Sequence, residues 1–326
     1  MASNFFSNKY LSVMLPAASS GSVAFKFQTF NSQPSQTFTV TVTGISAGDS
    51  EQMVAYTICN QASSYFGNNG ILFTGVIGSL SDPVCGVFQT AFTEHVVNFF
   101  SPAQFSLSQV SDTTGSLYKL GTSPALTTVL EASAYGPINN QGFQTCSNGS
   151  RSNMTTSQMA DLILEASSDL TAIMKNNIVS SYYIYEFTTT QTNALRYPNR
   201  PVNLFYYPYV IRPVLYPFTS ITNTFDFPSN YYVDRDSGYI TFRFAQDILF
   251  NYEPFDFNNQ FRSAYGAGTT YIPEEIKTAV LRWIWVIQNS FTTISKVSDG
   301  QSEITYGIDK NIEKRTITAN IWEYMQ

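Results

Sequence analysis

One stretch, Thr269 to Phe291, sets the main constraint on how this chain folds. Thr269 or Thr270 is placed to cap a helix, Pro273 suits a first turn, and Glu274 and Glu275 put negative charge at the positive end of the macrodipole. Apolar residues then recur at Ile276, Val280, Ile284, Ile287 and Phe291, which is helical spacing, and Trp283 adds a second apolar edge. Such a helix leaves little of its girth to water. The pattern predicts the spine of a C-terminal domain, packed against an earlier helix.

That earlier helix reads from Thr155 or Thr156 to Asn176-Asn177, with a stripe of Met159, Leu162, Ile163, Ala166, Leu170, Ile173 and Met174. The chain between the two helices is strand-rich. Its candidate strands are Ser181 to Thr190, Val210 to Val214 and Thr219 to Thr222. Tyr231 to Phe242 holds two alternating runs around an Asp/Ser/Gly turn closed by Gly238, a hairpin signal. Gly266-Ala267-Gly268 reads as a loop needing unusual backbone angles, and Glu303 to Tyr306 as one more strand.

Before residue 135 the chain alternates in strand fashion at Ser22 to Phe30 and Thr37 to Thr43, with Gly44 and Gly48 bracketing a turn. A helix starts at Asp49-Ser50-Glu51-Gln52 and ends near Gly67. Further strands are expected at Gly70 to Ile77, Val84 to Phe92, His95 to Phe100 and Phe105 to Val110, while Leu117 to Ala134 fits strands or a short helix equally. Tyr135 to Asn153, rich in Asn, Gly, Ser and Gln, marks a boundary. The expectation is an α+β chain. It comprises a mainly β accessory domain with one helix (1–135), a linker (136–153), a domain of long helices packed with a small antiparallel sheet (154–310) and an extended arm (311–326).

Charged residues make up 12% of the 326, about half of the ~25% usual for soluble proteins, while aromatics reach 15%. Few charges need desolvating when a neighbour docks on such a surface, which suits a subunit of an assembly. The net charge of −6 leaves no global basic field to grip nucleic acid, though a polyanion can slide past an acidic wall. Three cysteines, Cys59, Cys85 and Cys146, lack metal or redox spacing and fit free thiols in a reducing compartment. No compact apolar run suggests a signal peptide or a membrane span, so synthesis in the cytoplasm is expected.

Chemistry is sparse. His95 is the single histidine, flanked by Glu94 and Val96-Val97 in an expected strand, so a structural role outweighs a catalytic or metal-binding one. Asp234-Arg235-Asp236-Ser237-Gly238 begins like a calcium loop but has Gly at position five and Ala245 at position twelve, so the turn reading prevails. Glu274 and Glu275 point about 100° apart on a helix and do not face each other as an acid/base pair. No phosphate-binding Gly-rich motif is present. The sequons at Asn148 and Asn153 are chance matches without a secretory signal. The aromatic run Phe205-Tyr206-Tyr207-Pro208-Tyr209 suits packing in the sheet or an interface better than stacking on sugars or bases. No cofactor, metal site or catalytic residue is expected.

The order of these pieces carries a resemblance. A helix is followed by the strand at Ile211-Arg212-Pro213-Val214, the hairpin at Tyr231 to Ile240, the loop at Ala264 to Gly268, and the helix opening Ile272-Pro273-Glu274-Glu275-Ile276. Over Thr155 to Tyr306 this resembles the head-tail connector (adaptor, head completion) proteins of tailed bacteriophages. The resemblance implies a non-catalytic structural virion protein of the neck. Its subunits would form a ring, usually twelvefold, that docks beneath the portal protein and continues the DNA channel to the next tail or neck protein without binding DNA specifically. Pro273, Glu274, Glu275, Ile276, Gly238 and Gly266 would be fold-determining. Asn311 to Gln326 would be the portal-docking arm, carrying Lys314, Arg315, Ile317, Ile321, Trp322, Tyr324 and Met325. Its apolar end supports that independently, since such side chains gain little unless a partner buries them. Lys310, Lys314 and Arg315 suit an acidic portal surface and a solvated face equally. The first half exceeds the family's usual size, and an alternative expectation makes it a virion binding module for a host glycan or for a fibre or collar protein.

Overall fold

The computed structural model describes residues 7–29, 37–68, 88–101, 104–135, 144–147, 150–174, 178–179, 181–188, 201–203, 214–217, 231–234, 239–242, 260–267, 271–289, 295–298, 303–306, 314–317, 319 and 321. It is an α+β structure of helices and antiparallel sheets, with a β region at the N-terminal end.

The organising layer is a four-stranded antiparallel sheet. Its order is β4 (Gln89–Thr93), β5 (Val96–Ser101), β1 (Ser7–Val13), β7 (Tyr118–Gly121). Both faces of this sheet are covered. Side chains alternate along a strand, so β1 sends Leu11 and Val13 into one core and Tyr10 into another, and β5 divides Val97 and Phe99 from Val96 in the same way.

The first core lies between this layer, helix α1 (Glu51–Asn68) and a second sheet ordered β3 (Thr37–Ile45), β2 (Gly21–Thr29), β6 (Phe105–Asp112). Phe27 is its hub, with ring centroids 5.1 Å from Phe66, 5.4 Å from Phe88 and 5.0 Å from Phe99. Cys59 is buried here as a free thiol. Gly44 and Gly48 flank the turn after β3 at φ 76° and 86°, in the left-handed region that glycine tolerates.

The second core lies on the opposite face. It holds helix α2 (Val129–Ala134), helix α3 (Thr156–Met174) and helix α4 (Glu274–Asn289). Helix α3 buries Met159, Ala160, Ile163, Ala166, Ser167, Leu170 and Met174; five of these belong to the stripe that periodicity predicts, Ala160 and Ser167 are added, and Leu162 and Ile173 are only partly buried. Helix α4 buries Ile276, Ala279, Val280, Leu281, Trp283, Ile284 and Val286, and the Trp283 indole donates to Asp169 Oδ2 on α3 at 3.0 Å. Tyr10, Met14, Val96, Ala125, Leu126, Val129 and Ala132 belong to the same apolar cluster. The packing is therefore continuous between residues before 136 and residues after 153. Within 136–153, β8 (Gln144–Ser147) and β9 (Ser150–Asn153) pair as a short hairpin.

Between α3 and α4 run two three-stranded antiparallel sheets. One is ordered β10 (Ser181–Thr188), β15 (Gln260–Ala267), β12 (Val214–Pro217); the other β11 (Pro201–Asn203), β14 (Tyr239–Phe242), β13 (Tyr231–Asp234). The β13–β14 hairpin lies where alternation predicts it, while Gly238 at its turn is outside the described residues. Gly266 is a correction. It sits in β15 opposite Tyr182 and Ala267 opposite Ser181, so these two residues extend a strand rather than form a loop. β16 (Ser295–Ser298) and β17 (Glu303–Tyr306) form a last hairpin.

Candidate functional site: a charged knot around Lys277

β4 and β5 are joined by a two-residue turn, Glu94-His95, closed by the Thr93–Val96 pair. Glu94 has φ 45°, the single non-glycine residue at positive φ among the described residues. Two-residue hairpins favour positive φ at their first central position, usually supplied by Gly, Asn or Asp. A glutamate there costs about 1–2 kcal/mol in backbone terms, so its side chain is the place to look for compensation. Glu94 Oε1 accepts the Ile272 N–H at 3.1 Å, and Oε2 lies 3.2 Å from Lys277 Nζ. The turn of one hairpin thus receives the start of α4.

Lys277 gathers two more carboxylates. Glu131 Oε1 lies 3.0 Å away and Glu274 Oε1, one helical turn back, 3.6 Å. Glu131 is held independently by α2. Thr128 caps that helix in a full capping box, with its own N–H donating to Glu131 Oε2 at 3.0 Å and its Oγ1 accepting the Glu131 N–H at 3.2 Å, while Thr127 Oγ1 donates to Oε2 at 2.8 Å. One Glu131 oxygen therefore fixes α2 and the other fixes α4.

The electrostatics follow from these bonds. Burial favours a neutral Lys277, but the hydrogen bond and charge of Glu131, with Glu94 adding, outweigh it and raise the ammonium above its ordinary 10.5. Burial likewise favours a protonated Glu131, yet donation from Thr127, Lys277 and the Thr128 amide holds its carboxyl below 4.5. Behind the knot Glu51, at the start of α1, is buried with Oε1 lacking a hydrogen-bond partner. Burial raises its carboxyl above 4.5; its own amide opposes this, and repulsion from Glu131 reinforces it.

His95 completes the junction. It is 3% exposed, and its Nε2–H donates to the Ala125 carbonyl at 2.9 Å. The segment Ala125 to Val129 crosses the interior between the sheet and α3, where every backbone polar group needs a partner. Ser12 Oγ accepts the Ala125 N–H at 3.0 Å, Ser167 Oγ accepts the Leu126 N–H at 3.0 Å, and the Met14 carbonyl accepts the Val129 N–H at 3.2 Å. Desolvation lowers the His95 pKa below 6.5, with Glu131 and Glu94 offsetting only part of it, so the ring is neutral at pH 7. The expected structural role for His95 is the one its contacts describe, in a turn rather than a strand.

The chemistry available to this constellation is anchoring. A lysine ringed by carboxylates stays protonated and is neither a nucleophile nor a base. Its ammonium stands where the three carboxylates would otherwise face a cation, and among the described residues no group of three or more His, Cys, Asp or Glu side chains is disposed to hold a metal. No described helix is long and apolar enough to cross a membrane.

The fold-determining residues expected at the head of α4 are brought together here. Pro273 directly precedes the helix, and its carbonyl accepts the Ile276 and Lys277 N–H groups at 3.0 and 3.1 Å. Glu274 and Glu275 are exposed in the first turn, and Ile276 is fully buried. Thr269 and Thr270 lie outside the described residues. The arm residues separate into groups. Lys314 and Arg315 are exposed on a single helical turn at 314–317. Ile317 and Ile321, expected to await a partner, are 1% and 0% exposed in the second core, covered by this chain itself. Trp322, Tyr324 and Met325 lie outside the described residues. Lys277, Glu94 and Glu131 were not singled out from sequence. The signals available were Thr128-Val129-Leu130-Glu131, which spells a capping box, and a glutamate in a two-residue turn. No family model matches this chain, and no curated protein matches it.

Proposed function

We propose that this protein is a structural subunit of a tailed-phage neck, a ring-forming head-tail adaptor that docks under the portal protein and continues the DNA channel toward the tail. One observation carries the reading. Helices α3 and α4, far apart in sequence, pack face to face and are joined through antiparallel sheets, which is the arrangement a connector-like domain requires. The low charge of the chain supports burial against neighbours. On this reading the protein works by self-association, as a ring of twelvefold order fixed by the portal, and by docking rather than catalysis. It is made in the host cytoplasm, ends in the virion at the head-tail interface, and lets DNA pass without specific contacts.

The alternative, an N-terminal module mounted on a C-terminal base, is weakened by the shared second core. A module recognising a glycan or fibre protein is usually separable, whereas here Tyr10, Met14 and Val129 pack with α3 and α4. Electron microscopy of the full chain, alone and mixed with the portal protein of the same virus, tests the proposal. Rings stacked coaxially on the portal support it. No association with the portal overturns it.

A further inference from the structure

The second sheet ends in two strands of different character. β6 carries an extra residue at Val110, where the register with β2 shifts between Ala24–Ser111 and Phe25–Gln109, and such a bulge bends an edge out of pairing geometry. β3 has its irregularity only at its far end, between the Val23–Val42 and Gly21–Ile45 pairs. From Thr37 to Val42 it has no charge, no proline and no bulge, and among the described residues it pairs with β2 alone. Among the described residues this run has none of the usual edge protection.

Which backbone groups face outward is fixed by Gln61 of α1. Its side-chain amide accepts the Thr43 N–H at 2.9 Å and donates to the Thr43 carbonyl at 2.6 Å, standing in for one residue of a further strand. Thr43 therefore points away from β2, and by alternation so do the backbone groups of Thr41, Thr39 and Thr37. All three threonine side chains are exposed on the outer face, while Val40 and Val42 enter the first core.

We infer that this edge pairs with the same edge of a second copy of the chain, antiparallel, about a two-fold axis through Thr39. The argument for that occupant is self-complementarity. Reversed about Thr39, the run Thr37-Phe38-Thr39-Val40-Thr41 sets Thr opposite Thr and Phe38 opposite Val40, with both apolar residues on the core side. The three outward residues of each copy then exchange roughly six main-chain hydrogen bonds, and Thr–Thr cross-strand pairs are favourable. The pairing stops at Thr43, which Gln61 already occupies. The nearest charge on the outer face is Lys26, opposite Thr39 on β2. Two such lysines end about three strand spacings apart, roughly 14 Å, beyond the Debye length at physiological salt. A two-fold contact is not an operation of a ring. The dimer therefore belongs to the free chain and stands apart from the neck reading.

The test is the mass of the full chain in solution across a concentration series. The expected species is twice 36.4 kDa, dissociating on dilution. Thr39→Pro removes an outward N–H without touching the ladder to β2, and Thr39→Lys places like charges opposite each other; each should shift the dimer to monomer while thermal unfolding of the monomer is unchanged. Should Thr39→Pro fail to fold, Thr39→Lys carries the test. Thr39→Cys should give a disulfide-linked dimer on mild oxidation, above the background of the unsubstituted chain, since directly paired residues lie within disulfide reach, whereas Lys26→Cys should not. A monomer at every concentration overturns the inference. So does an oligomer that Thr39→Lys leaves intact, or a β3 edge protected only by some other protein's strand. Rings on the portal formed from a chain that never dimerises would remove this inference and leave the neck proposal standing.

Discussion

Glu94 accepts the backbone N–H of Ile272 at 3.1 Å across 178 residues of sequence, from a turn whose backbone glutamate does not favour. That bond ties the middle sheet to the segment leading into α4, and the second oxygen of the same carboxylate reaches Lys277. Strain and anchor sit in one residue, which makes their separate contributions measurable. Glu94→Ala removes both contacts and keeps the strain, and should cost about 1–3 kcal/mol in urea unfolding. Glu94→Gly removes the contacts but also the strain, so it should be less damaging than Ala by about 1 kcal/mol. Equal losses for the two would show that φ 45° carries no cost here.

The buried histidine sets a pH limit. The folded-state pKa of His95 lies below its unfolded value of 6.5, so the unfolded chain takes up the proton first as pH falls. The His95 contribution is complete above pH 6.5 and declines as pH falls below it. Glu131, depressed below 4.5, begins to cost stability only in more acidic solution. Urea midpoints should therefore fall between pH 7 and 5. In His95→Gln, which keeps a donor for the Ala125 carbonyl, that segment of the profile should flatten. A profile identical in both proteins would remove His95 as the cause.

Glu51 works in the opposite sense. Its raised carboxyl favours the protonated form in the folded state, so its ionisation lowers stability as pH rises above 4.5. Glu51→Gln imitates the neutral form and also ends repulsion with Glu131. It should raise the melting temperature at pH 8 and change it less at pH 4.5. A loss at pH 8 would mean that the charge at the start of α1, through the helix macrodipole, outweighs desolvation.

These residues mark where sequence reasoning reached its limit. Helices α3 and α4 were legible because an apolar stripe at helical period survives any tertiary context, and the β13–β14 hairpin because turn chemistry is local. β1 carries no such local signal, its apolar residues being interleaved with polar ones. It is the strand between two cores, and the acceptor role of Ser12 for the Ala125 N–H is a long-range fact that no local pattern announces. The same holds for Lys277, whose partners lie at Glu94 and Glu131. Ile317 and Ile321 carried the same apolar signal whether the chain itself or a partner covers them, and composition cannot distinguish the two.

That last ambiguity changes how the docking arm must be cut. Removing residues 311–326 takes Ile317 and Ile321 out of the second core, where replacing either by Ala should cost about 2–5 kcal/mol. Loss of portal binding in that truncation would report unfolding as readily as a missing contact. Removing only 322–326 leaves both isoleucines in place and should keep the urea midpoint within error. Arg315→Glu reverses a charge on an exposed turn and should also leave stability unchanged, within about 0.5 kcal/mol. If the arm docks on the portal, the short truncation should abolish coaxial stacking and the charge reversal should weaken it more at low salt than at high. Undiminished stacking by both variants would place the contact elsewhere on the chain, and the 314–321 segment would be a core element with no docking role.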